Sequence, residues 1–105
     1  AFQPLPLWVG AIDVGAWKWR NWFGYFKDYG NGWIYHAEHG WLFCVGSVQS
    51  DIWFWSSSMG WAWSGQGVYP FLWRSQDAVW LWYYRGTISP RWFHNYGLGA
   101  NEWLF

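Results

Sequence analysis

Ile52-Trp53-Phe54-Trp55 is followed, across Ser56–Met59, by Gly60-Trp61-Ala62-Trp63-Ser64. Each run alternates a tryptophan with a different residue. In an extended chain that spacing puts both indoles of a run on one face. The serines of Ser56-Ser57-Ser58-Met59 between the runs are turn formers, so the pair reads as a β-hairpin. The same design recurs on either side. Trp33–His36 returns through Ala37-Glu38-His39 to Gly40–Val45. Phe71–Arg74 returns through Ser75–Ala78 to Val79–Tyr84. Arg91–His94 returns through Tyr96–Asn101 to Glu102–Phe105. The aligned tryptophans Trp41, Trp61, Trp80 and Trp103 are 20, 19 and 23 residues apart. A period near twenty marks a repeated supersecondary unit.

Upstream, Trp17-Lys18-Trp19 alternates as a strand, and Trp22–Phe26 leads to a turn at Asp28–Gly32. No apolar stripe at helical spacing persists along the chain. The fold class expected is all-β: a meander of about ten short antiparallel strands built from aromatic hairpins of about 20 residues. Sheet, barrel and propeller-like closure are all compatible with it. Two regions are expected. Residues 1–16 form an extended arm, because Pro4 and Pro6 cannot serve a central strand. Residues 17–105 form one repeat domain.

Hydrophobic residues make up 53% of the 105-residue chain and aromatics 29%. Burying one aromatic removes about 150–250 Å² from water. The rings are therefore expected to fill the core, with Trp33, Trp41, Trp53, Trp61, Trp80 and Trp103 at its equivalent positions. About two-thirds of the aromatics are assigned there, since a chain this size hides only about that share of its surface.

Charge restricts function more sharply. Charged residues are 11% of the chain and the net charge is zero. That is too little to coat a monomer, so an exposed apolar surface and a partner to cover it are expected. The six Lys and Arg are scattered and matched by six acids, which argues against nucleic acid. Lys18, Arg20, Arg74, Arg85 and Arg91 sit near aromatics and could stack on them. No apolar run is long enough for a transmembrane helix. A first residue other than Met suggests a processed, secreted chain.

Catalytic patterns are missing. His36, Glu38 and His39 are close, and His94 or Cys44 would have to complete a metal site. Their spacing fits no usual zinc pattern. Hydrogen bonds from His36 and His39 to the turn backbone are the plainer reading. Cys44 is expected to pack as a small hydrophobe. Asp13, Asp28, Asp51, Asp77 and Glu102 lie in or beside turns rather than as a glycosidase pair. Ser56–Ser58 lack the strained turn of a nucleophilic serine. No enzyme activity, cofactor or metal is expected.

The set Trp22-Phe23-Gly24, Gly32-Trp33-Ile34-Tyr35-His36, Gly40-Trp41-Leu42-Phe43, Gly60-Trp61-Ala62-Trp63 and Tyr69-Pro70-Phe71-Leu72-Trp73 resembles a tryptophan-rich β-repeat. That repeat occurs at the C-terminal ends of some secreted and surface bacterial proteins. The resemblance covers most of the chain from Trp17 onward and implies a surface location. A looser resemblance is to choline- and glucan-binding cell-wall repeats. There the Trp-Tyr-Tyr doublet recurs, whereas here it occurs once, at Trp82-Tyr83-Tyr84.

The function expected is a structural subunit of an extracellular homopolymer, held by aromatic packing between copies. Phe2, Leu5, Leu7 and Val9 are the expected interface, laid across a neighbouring copy. The alternative is a glycan- or cell-wall-binding module using exposed tryptophan platforms.

Overall fold

The computed structural model describes residues 7–105. It is all-β, a single sheet of eleven antiparallel strands paired strictly in chain order. The strands are β1 (Ile12–Val14), β2 (Trp17–Arg20), β3 (Gly24–Asp28), β4 (Trp33–His36), β5 (Gly40–Val48), β6 (Asp51–Ser56), β7 (Gly60–Ser64), β8 (Phe71–Arg74), β9 (Val79–Tyr83), β10 (Arg91–Asn95) and β11 (Ala100–Leu104). The four expected hairpins are β4–β5, β6–β7, β8–β9 and β10–β11. Among the described residues β1 and β11 do not pair, so the sheet is an open meander rather than a closed barrel.

A lone sheet can hide one face only by curling over it. The inner faces of distant strands therefore meet. Phe23, between β2 and β3, stacks on Phe54 of β6 at 5.5 Å and meets Tyr69 edge-on at 5.4 Å. His39, in the β4–β5 turn, lies 4.4 Å from the Tyr83 ring of β9. Phe26, Ile34, Leu42, Cys44, Ile52, Phe54, Ala62, Leu72, Leu81, Tyr83 and Phe93 all point into this core.

The tryptophans do not. Of the fifteen, only Trp8 and Trp22 are buried. Trp41 is 53% exposed and Trp103 50%; Trp61 and Trp80 are exposed as well. Trp33 and Trp53 are half-buried. The period-two alternation holds, but the tryptophans occupy the opposite face from the one expected. Curling crowds the concave side and spreads the convex one. Residues of modest size between the tryptophans, such as Leu42, Ala62 and Leu81, fit inside, and the indoles are turned out.

The N-terminal expectation is corrected too, over residues 7–16. Ile12, Asp13 and Val14 pair with Trp19, Lys18 and Trp17. Trp8 plugs this chain's own core, with its ring 5.3 Å from Phe23 and 4.6 Å from Phe26. Leu7 packs beside it. Val9 is exposed, and its carbonyl accepts a hydrogen bond from Gln49 Nε2 at 2.8 Å. Phe2 and Leu5 lie outside the described residues.

The hairpins share a device. The last residue of each first strand faces inward and is polar: His36, Ser56, Arg74 and Asn95, all buried. His36 Nδ1 accepts from the backbone N–H groups of Glu38 and His39, at 3.1 and 3.2 Å. Asn95 Oδ1 accepts in the same way from Gly97 and Leu98. Arg74 instead holds Asp77 of its turn through two bonds, at 2.9 and 2.7 Å. Each turn also has a left-handed residue, Gly40, Gly60, Ala78 or Gly99, where glycine is the unstrained choice.

Candidate functional site

Two sets of side chains could carry function: the polar cluster inside the sheet and the aromatic rows outside it.

The inner cluster is a set of struts. His36 accepts at Nδ1, so its proton is on Nε2, which donates to the Phe23 carbonyl at 2.7 Å. Burial pushes its pKa down to about 4 and holds His39 well below the usual range, so both rings are neutral. Tyr83 Oη lies 2.9 Å from Glu38 Oε1 and 2.7 Å from the Thr87 carbonyl, which ties β9 to the β4–β5 turn. Arg85 donates to the Trp22 carbonyl and lies over the Tyr69 ring, 5.1 Å from its centre. Arg74 of β8 also pairs with Glu102 of β11 at 2.7 Å. Glu102, on the edge strand beside the last turn, thus points inward as a counter-ion. Arg74 keeps Asp77 charged by lowering its pKa. Among the described residues no group of three metal-ligating side chains converges. Cys44 is buried and unpaired, and burial raises its pKa.

The outer set is of another kind. Strand register puts aromatic residues directly opposite one another across several strands. Trp33, Phe43, Trp55 and Trp61 form one row over β4–β7. Trp53, Trp63, Trp73 and Trp80 form a second over β6–β9. Phe71, Trp82 and His94 continue a third over β8–β10, and Trp92 faces Trp103 on β11.

Within the second row the rings skip a strand. Trp53 meets Trp73 edge-on at 6.0 Å, and Trp63 meets Trp80 at 6.2 Å. Such edge-to-face pairs contribute about 0.5–1.5 kcal/mol each beyond area burial. In each pair the edge of one indole covers part of the other's face, and the rings stay partly in solvent. The row forms an open trough lined by these four indoles. Trp63 Nε1 donates to Asp51 Oδ1 at its rim, at 2.6 Å. A second trough is lined by Trp33, Trp41 and Trp55.

Cation–π cover of these rings is sparse. Lys27 lies 4.8 Å from the centre of the Trp17 ring. Arg85 and Arg91 stack on inner rings instead, and Lys18 pairs with Asp13. Of the outward positions on β4–β11, only Asp51 carries a formal charge.

The expected core tryptophans Trp33, Trp41, Trp53, Trp61 and Trp80 are thus the members of the outer rows. The structure brings them together, but as a surface. No protein-family model, curated protein or solved structure matches the chain. The described residues contain no helix long and apolar enough to cross a membrane. What the outer face offers is flat apolar contact with very little charge.

Proposed function

We propose that this chain is a structural subunit of an extracellular homopolymer, held together by packing of its outward aromatic rows against those of other copies. One observation carries the reading: eight consecutive strands present aromatic rows to solvent with a single formal charge among them. Surfaces of that composition are normally covered.

The curl of the sheet supports multi-sided contact. Inner faces near β4 and β9 meet at His39 and Tyr83, so the outward faces of those regions point away from each other. A subunit with sticky rows on opposed sides can bind two neighbours and propagate. The molecule measures 45 × 26 × 24 Å, and its broad side is comparable with the ~800 Å² each partner gives to a standard interface. The expected arm contact gives way to the rows, because Trp8 and Leu7 are used within the chain. The extracellular placement rests on the resemblance to surface-protein repeats alone.

Sedimentation velocity and negative-stain microscopy in plain buffer test the reading. Large assemblies are expected at micromolar concentration, and Trp53→Lys/Trp73→Lys should disperse them. A monodisperse wild-type monomer would overturn it.

The trough of Trp53, Trp63, Trp73 and Trp80 favours a second reading, a glycan platform. Sugar rings stack on indole faces, and Asp51 could accept a hydroxyl proton. In that case the monomer should be retarded in gels containing soluble β-glucan, and Trp73→Ala should abolish the retardation.

A further inference from the structure

Arg91, the first residue of β10, is a buried guanidinium whose surroundings differ from those of Arg74. Arg74 lies between two carboxylates. Arg91 is 3% exposed, yet its side-chain partners are neutral. Its Nη1 lies 2.7 Å from His39 Nδ1, and its Nη2 donates to Ser58 Oγ at 2.8 Å. Among the described residues no carboxylate is within ion-pair distance. Glu38, the acid of this region, is engaged by the Tyr83 hydroxyl, and Arg85 adds a second cation over Tyr69. A charge removed from water without a counter-charge is costly, and proteins seldom leave one so.

The hydrogen bonds around it have a direction. Arginine cannot accept, so His39 Nδ1 is the acceptor and the neutral ring carries its proton on Nε2. That Nε2–H donates to Tyr69 Oη at 2.8 Å. Tyr69 then has its own hydroxyl proton left to give, and no acceptor for it is found among the described residues. Arg91, His39, Tyr69 and Ser56 line one small internal cavity, closed by apolar side chains that include Phe54, Met59 and Leu72. It has room for one water-sized particle. Its polar wall therefore holds a positive charge and a spare O–H donor, and no negative group.

We propose that this cavity binds a small monovalent anion of the halide class, held by the Arg91 guanidinium and the Tyr69 hydroxyl. Its size and apolar walls exclude sulfate and phosphate and select a weakly hydrated ion. The bound anion supplies the missing counter-charge. It fastens β10 to the β4–β5 turn and to the loop before β8. The site is independent of the outer rows, so it stands whether or not the chain polymerises.

Thermal unfolding of the full chain in sodium chloride or bromide, against sodium gluconate at matched ionic strength, is the test. Halide should raise Tm by several degrees and saturate, as a ligand specific to the folded state does. Tyr69→Phe should weaken the effect and Arg91→Met remove it. Should Arg91→Met fail to fold, anomalous diffraction from bromide-soaked wild-type crystals decides. A bromide peak in the cavity beside the guanidinium is expected. Equal Tm in halide and gluconate, or peaks at the surface from an adventitious ion only, would overturn the proposal.

Discussion

Phe23→Ala should destabilise the subunit by about 3–5 kcal/mol, whereas Trp61→Ala should cost about 1 kcal/mol or less. The larger residue is the cheaper loss because of where each sits. Phe23 is 1% exposed and is the hub of the core. Its ring lies 5.0 Å from Trp22, 5.3 Å from Trp8, 5.6 Å from Phe26, 5.5 Å from Phe54 and 4.3 Å from His36. Removing it opens a cavity that five rigid rings cannot collapse to fill. Trp61 stands on the convex face with its ring partly in water, and solvent takes its place. Trp8 belongs with Phe23, so a chain beginning at Gly10 should also lose stability. Urea unfolding at concentrations where the subunit is monomeric measures all three. A Trp61→Ala loss as large as that of Phe23→Ala would put the indole inside and reverse the face assignment.

That reversal is where reading the sequence stops. The hairpins were legible, because turn residues at regular spacing and a period of two leave little freedom. β4, β6, β7 and β8 begin and end within a residue of where the sequence puts them. Which face turns inward was not legible. Trp-x-Trp alternation is compatible with either, and the larger area that an indole can bury favours placing it inside. Curvature decides the matter, and curvature is a property of the whole sheet. β1 was missed because three residues between glycines carry almost no strand signal, and the prolines before them pointed to an arm. The turn role of His36 was legible, since a histidine beside a tight turn has backbone donors in reach. The Arg91–His39–Tyr69 chain was not. It joins residues 52 and 30 positions apart, with nothing local to mark the pairing.

Acid should unfold this protein well above the pH at which its carboxylates titrate. His36 has a folded pKa of about 4 against an unfolded value near 6.5. Between those values the unfolded chain binds a proton that the folded one refuses. Stability is therefore fully present above pH ~6.5 and falls as pH drops through the window, levelling near pH 4. At about 1.4 kcal/mol per unit, His36 alone removes about 3 kcal/mol. His39, buried beside two arginines, shifts in the same direction and adds to the loss. The His36 loss alone is a large share of the whole stability of a small domain, typically ~5–15 kcal/mol. Urea midpoints at pH 7.5, 6, 5 and 4 should fall steeply, with a slope approaching two protons. His36→Asn separates the two rings. An asparagine oxygen can accept the two turn N–H groups as Asn95 does in the last hairpin, and it does not titrate. That variant should keep the fold at pH 7.5 and lose about one proton of slope. A midpoint flat from pH 7 to 4.5 would mean that neither histidine is buried in the neutral form, and the inner cluster would have to be redrawn.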